Sequence, residues 1–166
     1  MSLDAVAPGT RVFVDSTIFI YHFTGASPEC RAFLERCERR EVKGLTSALV
    51  LAEVAHRLMM LEAVTRGLVS PGHVARKLRE RPEVVRELDL YREQVERIPL
   101  MGVDVVPLGL ANVMRSGDAR KRHGLMVNDS LLVAALRDVG VTALASADTG
   151  FQAVEGLTLL QPRDLS

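Results

Sequence analysis

Short apolar runs alternate along this chain with longer segments of helical periodicity. Five runs read as strands: RVFV (11–14), VKGLTS (42–47), VDVVPL (103–108), VTALA (141–145) and LTLL (157–160). Between them the spacing predicts helices. A short one follows the polar DST and spans Ile18–Phe23, and Pro28 starts a second that runs to about Arg40. Thr46 or Ser47 is the N-cap expected for a long helix from Ala48 to about Arg66. Ser70-Pro71 reads as a cap with proline at the first helical position, opening a charged helix to Arg81. Pro82 begins another that runs to Arg97 and is stopped by Pro99. A helix from about Leu110 to Arg122 breaks at Gly124; Asn128 caps the next, Asp129 to Val139, which ends at Gly140. SADTGF reads as a turn or short helical loop. Strands alternating with helices predict an α/β fold, a mainly parallel sheet between helix layers.

Against this skeleton four carboxylates stand out, because each is alone in an uncharged, mostly apolar stretch. They are Asp15 in VFVDSTIFI, Glu53 in TSALVLAEVA, Asp129 in GLMVNDSLLVAAL and Asp148 in VTALASADTGF. An acid among apolar neighbours is expected to be desolvated, which is costly unless it is paired, protonated or bound to a cation. Asp15 and Asp148 follow the C-terminal ends of the first and fourth strands, Glu53 lies early in the helix leaving the second, and Asp129 opens its own helix. The carboxyl ends of the strands are where open parallel sheets bind ligands. Four acids meeting there would repel one another strongly. A hard divalent cation is the economical counter-charge, and an all-oxygen donor set suits Mg²⁺ or Mn²⁺ rather than zinc.

Composition narrows the class. The chain has 166 residues, enough for one domain with a proper core, and is 48% hydrophobic and 25% charged. Formal net charge is +0, so any attraction for a polyanion must come from a local patch. Arg115, Arg120, Lys121, Arg122 and His123 form one such stretch, readable as a phosphate grip or a solvated helix face. Cys30 and Cys37 are two turns apart in one expected helix, too distant to bridge, and read as free thiols of a reducing cytoplasm. No apolar run reaches the ~20 residues of a membrane span, and the first residues lack the pattern of a secretory signal.

The apolar run ending in Asp15, the Glu53 of LVLAEVA, the Asp129 of NDSLLVAAL and the Asp148 of ASADTGF, in that order, resemble the PIN-domain ribonucleases. Within that family the chain is most similar to VapC-type toxins of bacterial toxin–antitoxin pairs, over about residues 11–160. The resemblance implies a three-layer α/β/α sandwich around a central parallel sheet of four to five strands. It implies a metal-dependent endoribonuclease in which Asp15, Glu53, Asp129 and Asp148 are the catalytic and metal-holding acids for Mg²⁺ or Mn²⁺. Thr17 and Ser146 stand where the family often has a hydroxyl near the site. The implied partners are single-stranded or structured RNA, tRNA among them, a cognate antitoxin protein and a second copy of the chain in a homodimer; the implied location is cytoplasmic, with no membrane contact. Residues 1–166 would form a single PIN-like domain, with a departure at about 61–100, a longer and more charged helical insert than compact toxins carry.

Each acid also has a structural use. Asp15 can cap the helix after it, Glu53 can pair with His56 or Arg57, Asp129 suits a helix N-terminus, and Asp148 can form an Asx turn before Gly150. Two other functions compete. VFVDSTIF resembles the opening of HAD-type phosphatases, but Thr17 stands where a second Asp is expected. The alternative from a different class is a non-catalytic PIN-like module that binds RNA or a protein.

Overall fold

The computed structural model describes residues 1–165 and contains one five-stranded, wholly parallel sheet flanked by helices. The strands are β1 (Arg11–Val14), β2 (Lys43–Ser47), β3 (Val103–Val106), β4 (Ala143–Ala145) and β5 (Thr158–Leu160), in spatial order β3-β2-β1-β4-β5. The chain therefore steps outward from β1 to β2 to β3, then returns across the sheet to β4 on the other side of β1. Right-handed crossovers running in opposite senses cover opposite faces of a sheet. The topological switch point falls between β1 and β4, where Phe13 is in register with Leu144 and Val14 with Ala145.

The first crossover holds α1 (Ser16–Thr24) and α2 (Pro28–Glu38). Helix α1 is one turn longer than its periodicity predicts, because Asp15 caps it through the Thr17 amide and Gly25, at φ +71°, ends it. Ser27 caps α2, with Pro28 in the first turn. Ser47 caps α3 (Ala48–Thr65) as expected. The Ser70-Pro71 expectation is not met: Gly72 and His73 both have positive φ, and α4 (Val74–Glu80) starts only after them. The continuous helix expected over 82–97 is instead broken into α5 (Pro82–Val85) and α6 (Leu90–Arg97). The break falls where the Asp89 and Tyr91 amides turn to Glu62 of α3. Helices α7 (Leu110–His123) and α8 (Val127–Asp138) form an antiparallel pair joined at Gly124, and Met126 rather than Asn128 is the residue before α8.

The main core lies under β1, where Val12, Phe13 and Val14 are fully buried, with Ile18, Phe19, Phe33, Leu34, Leu136 and Leu144 around them. Burying side chains of this size contributes about 1.5–3 kcal/mol each. Cys30 and Cys37 are free and buried here, and burial pushes their thiols up to about 11 and about 12, so they are inert packing groups. Gly102, at φ +72°, lies so close that a Cβ would collide with the Cys37 carbonyl. A second, smaller core of Ala63, Val69, Leu78, Val84 and Leu88 holds α4 and α5 against the end of α3. Among the described residues no helix is long and apolar enough to cross a membrane.

Candidate active site

Strand order dictates the site. Because β1 and β4 are neighbours, the residues following them are neighbours too, although Asp15 and Ser146 are 131 positions apart in sequence. The Asp15 amide continues the ladder by donating to the Ala145 carbonyl at 2.9 Å. The residue is 6% exposed, and its carboxylate gathers three donors on Oδ2: the Ser146 hydroxyl at 2.7 Å, the Thr17 hydroxyl at 2.8 Å and the Thr17 amide at 3.4 Å. The Ala147 amide donates back to Thr17 Oγ1 at 3.0 Å, and the Asp148 amide to Ser146 Oγ at 3.0 Å. Two hydroxyls thus stitch the ends of β1 and β4 together and fix one oxygen of Asp15. No described residue hydrogen-bonds its other oxygen.

The other three acids differ in exposure. Asp148 is exposed and closes an Asx turn on the Gly150 amide at 2.7 Å. Glu53 faces out from α3 with its side chain 32% exposed, 3.8 Å from the Arg57 guanidinium one turn on. Asp129 is half-buried in the first turn of α8. Only Asp15 matches the expectation of a buried acid; the structural uses open to Asp15, Glu53, Asp129 and Asp148 are all realised as well.

Electrostatics shows what the fold brings together. The proton affinity of Asp129 is raised, first by its own burial, then by the charges of Asp148, Asp15 and Glu53. All four acids therefore share one field, and no cation is among the groups acting on Asp129. Field is not contact: among the described residues no three acidic, histidine or cysteine side chains converge tightly enough to grip an ion directly. The donor set still fits a hard divalent cation. All four groups offer oxygen, and Mg²⁺ is commonly held by one or two carboxylates with water in its remaining positions. The repulsion on Asp129 is the strain that such a counter-charge relieves.

The basic stretch before α8 divides. Arg120 turns inward and donates to Ser116 Oγ at 2.9 Å and Ser130 Oγ at 3.1 Å, bracing α7 to the first turn of α8 beside Asp129. Arg115 pairs with Asp138 at 2.7 Å. Lys121 and Arg122 remain exposed. Arg57 and Arg120 owe their roles to partners one helical turn or one helix away, and only Arg57 carried a signal in its i,i+4 spacing to Glu53.

Comparison with known proteins bears on the family and the fold. The PIN-domain family model matches residues 12–157, and the chain belongs to that family. No curated protein matches the chain. Among solved structures it is similar to VapBC2 from Rickettsia felis bound to a DNA fragment from their promoter, with TM-score 0.59 and 13% identity over 92% of this chain and 99% of that one. It is similar also to VapC20 of Mycobacterium tuberculosis, a Sarcin-Ricin loop cleaving toxin, with TM-score 0.54 and 16% identity over 86% and 93% of the two chains. A toxin–antitoxin complex from Klebsiella pneumoniae gives TM-score 0.55 and 17% identity over 89% and 95%. At such identities the likeness establishes the fold, the expected parallel-sheet sandwich.

Proposed function

We propose that the protein is a metal-dependent endoribonuclease, with Asp15, Glu53, Asp129 and Asp148 as its catalytic and metal-holding acids. The observation that carries this reading is that neighbouring strands β1 and β4 end in Asp15 and Asp148, with Asp129 at the head of α8 close enough to feel both charges and that of Glu53. Membership of the PIN-domain family supports it.

Each residue then has a part. Asp15, held at one oxygen by Thr17 and Ser146, presents its other oxygen in a fixed direction. Asp129 and Asp15 would hold Mg²⁺ or Mn²⁺, with Glu53 and Asp148 supporting it through water. When bound, such an ion would lower the pKa of water and stabilise charge on a phosphodiester in flight. One of the four carboxylates would take the proton from the attacking water. In-line attack leaves 5′-phosphate and 3′-hydroxyl ends. The substrate is single-stranded or structured RNA, tRNA among the candidates. We place the protein in the cytoplasm as the toxin of a type II toxin–antitoxin pair, acting as a homodimer and silenced by a small antitoxin. Residues 1–166 form a single PIN-like domain, and the helices of about 61–100 are an elaboration carried on it.

The test is cleavage of a mixed RNA pool by purified protein, with Mg²⁺ or Mn²⁺ and with excess EDTA. Cleavage that needs the metal and disappears in Asp129→Asn supports the reading. Full activity in EDTA overturns it, and absence of both cleavage and Mn²⁺ binding by calorimetry favours a non-catalytic binding module.

A further inference from the structure

An acidic active site poses a problem for a nuclease, because its own field repels the polyanion it must hold. The grip has to be built elsewhere, and the chain, with formal net charge +0, has little general attraction to offer.

A trough between α7 and α8 supplies it. This cavity of about 230 Å³ is lined by Arg115, Arg122 and Arg137, with Asp118 and Asp138. It borders a second hollow lined by Asp118, Lys121 and Arg122. Four cations therefore face two carboxylates. Asp138 is already committed, accepting from Arg115 at 2.7 Å and from Asn112 at 2.5 Å. Lys121, Arg122 and Arg137 form no ion pair among the described residues, and the Arg137 guanidinium touches only the Glu155 carbonyl at 3.4 Å. Basic residues near helix C-termini complement the dipole, which accounts for their presence one by one. It does not account for Arg122 and Arg137, near the C-terminal ends of two antiparallel helices, opening onto one concavity with Arg115.

We infer that this trough is a phosphate subsite for the RNA backbone, set apart from the acids and gripping the strand on one side of the cut. The inference rests on the nuclease reading. Arg137 lies eight residues beyond Asp129 on α8, about 12 Å along the axis, a span of a few nucleotides. Arginine suits the task because its planar fork matches a phosphate's oxygens, and such contacts hold the strand in place without reading its sequence.

Binding of a short mixed-sequence single-stranded RNA to the Asp129→Asn protein, across a salt series, tests this. For single strands each phosphate contact contributes about 0.7 to the slope of log affinity against log salt. Arg122→Gln with Arg137→Gln is expected to lower that slope by about 1.4 and to weaken binding at low salt severalfold. The Arg122→Lys, Arg137→Lys protein, with its charges kept, retains most of the slope. In the active protein the Gln pair raises KM more than it lowers kcat. RNA binding with an unchanged slope in the Gln pair overturns the subsite and leaves the nuclease reading standing. Direct binding of inorganic phosphate that the Gln pair abolishes, without any change in RNA affinity, makes the trough a free-anion site and overturns the inference as well. No RNA binding by Asp129→Asn at any salt concentration, with no cleavage by the unsubstituted protein, removes both.

Discussion

Glu62, wedged between α3 and α6, and Asp129, at the head of α8, are both carboxylates drawn partly out of water, yet their surroundings move them in opposite directions. Glu62 is 7% exposed, and burial alone would raise its proton affinity. It ends lowered, because the Tyr91 amide donates at 2.9 Å, the Asp89 amide at 3.2 Å and Arg66 at 3.1 Å. Asp129 is also penalised by burial, but its charged neighbours are three more carboxylates, and it ends raised. The first acid is satisfied by the fold and holds a helix in place. The second keeps its burial penalty, with three more carboxylates acting on it. Between these two acids the difference lies in the supply of donors, not in burial.

The contrast can be broken at several points, and the largest effect is on catalysis. Asp15→Asn should cut RNA cleavage by about 10²–10⁴-fold while circular dichroism and melting stay close to those of the unsubstituted protein. Loss of the fold instead would make Asp15 a structural acid like Glu62. Next comes Glu62→Ala, which strips two backbone amides of their acceptor, each unsatisfied group costing about 1–3 kcal/mol. Chemical denaturation should show that loss, and hydrogen exchange should show α6 and the small core opening before the sheet. Glu62→Gln keeps an acceptor and should lose less.

Asp129→Asn should do the reverse in the absence of metal and raise Tm by about 2 °C. The sign follows from linkage. A carboxyl whose folded value lies above its unfolded one favours the folded state at low pH and loses that contribution as pH rises through the folded value. Glu62, lowered in the fold, contributes above its unfolded value and loses this as pH falls through the folded one. A Tm that drops in Asp129→Asn would refute the contrast, and saturating Mn²⁺ should erase the variant's advantage. The smallest effect is on the titration of Asp129 itself: in the metal-free protein Asp148→Asn, which removes one repelling charge, should move the Asp129 carboxyl titration seen by NMR to lower pH.

Much of the frame could be read in advance from the chain. β1, with Val12, Phe13 and Val14, announced itself as a buried strand, and the order of the four acids pointed to the rim that the sheet presents. What escaped depended on partners far away in sequence. Glu62, in MMLEAVT, is also a lone acid among apolar residues, so the same criterion selects it, and only its amide partners 27 and 29 positions on reveal a structural purpose. The same contacts broke the helix expected over 82–97. Arg120 lies in a run of like charges, yet two serines draw it inward, one of them on the next helix. Arg137 had no basic neighbours to mark it, and only the pairing of α7 with α8 brings it to the trough.

The stitching of β1 to β4 by Thr17 and Ser146 has a consequence for synthesis. A polypeptide emerging from the ribosome exposes Asp15 early, but its clasp and the acid at 148 arrive only when most of the chain has been translated. At roughly 5–20 residues per second, several seconds separate the two events. Throughout that interval the nascent chain holds Asp15 without the hydroxyl of Ser146 that fixes it.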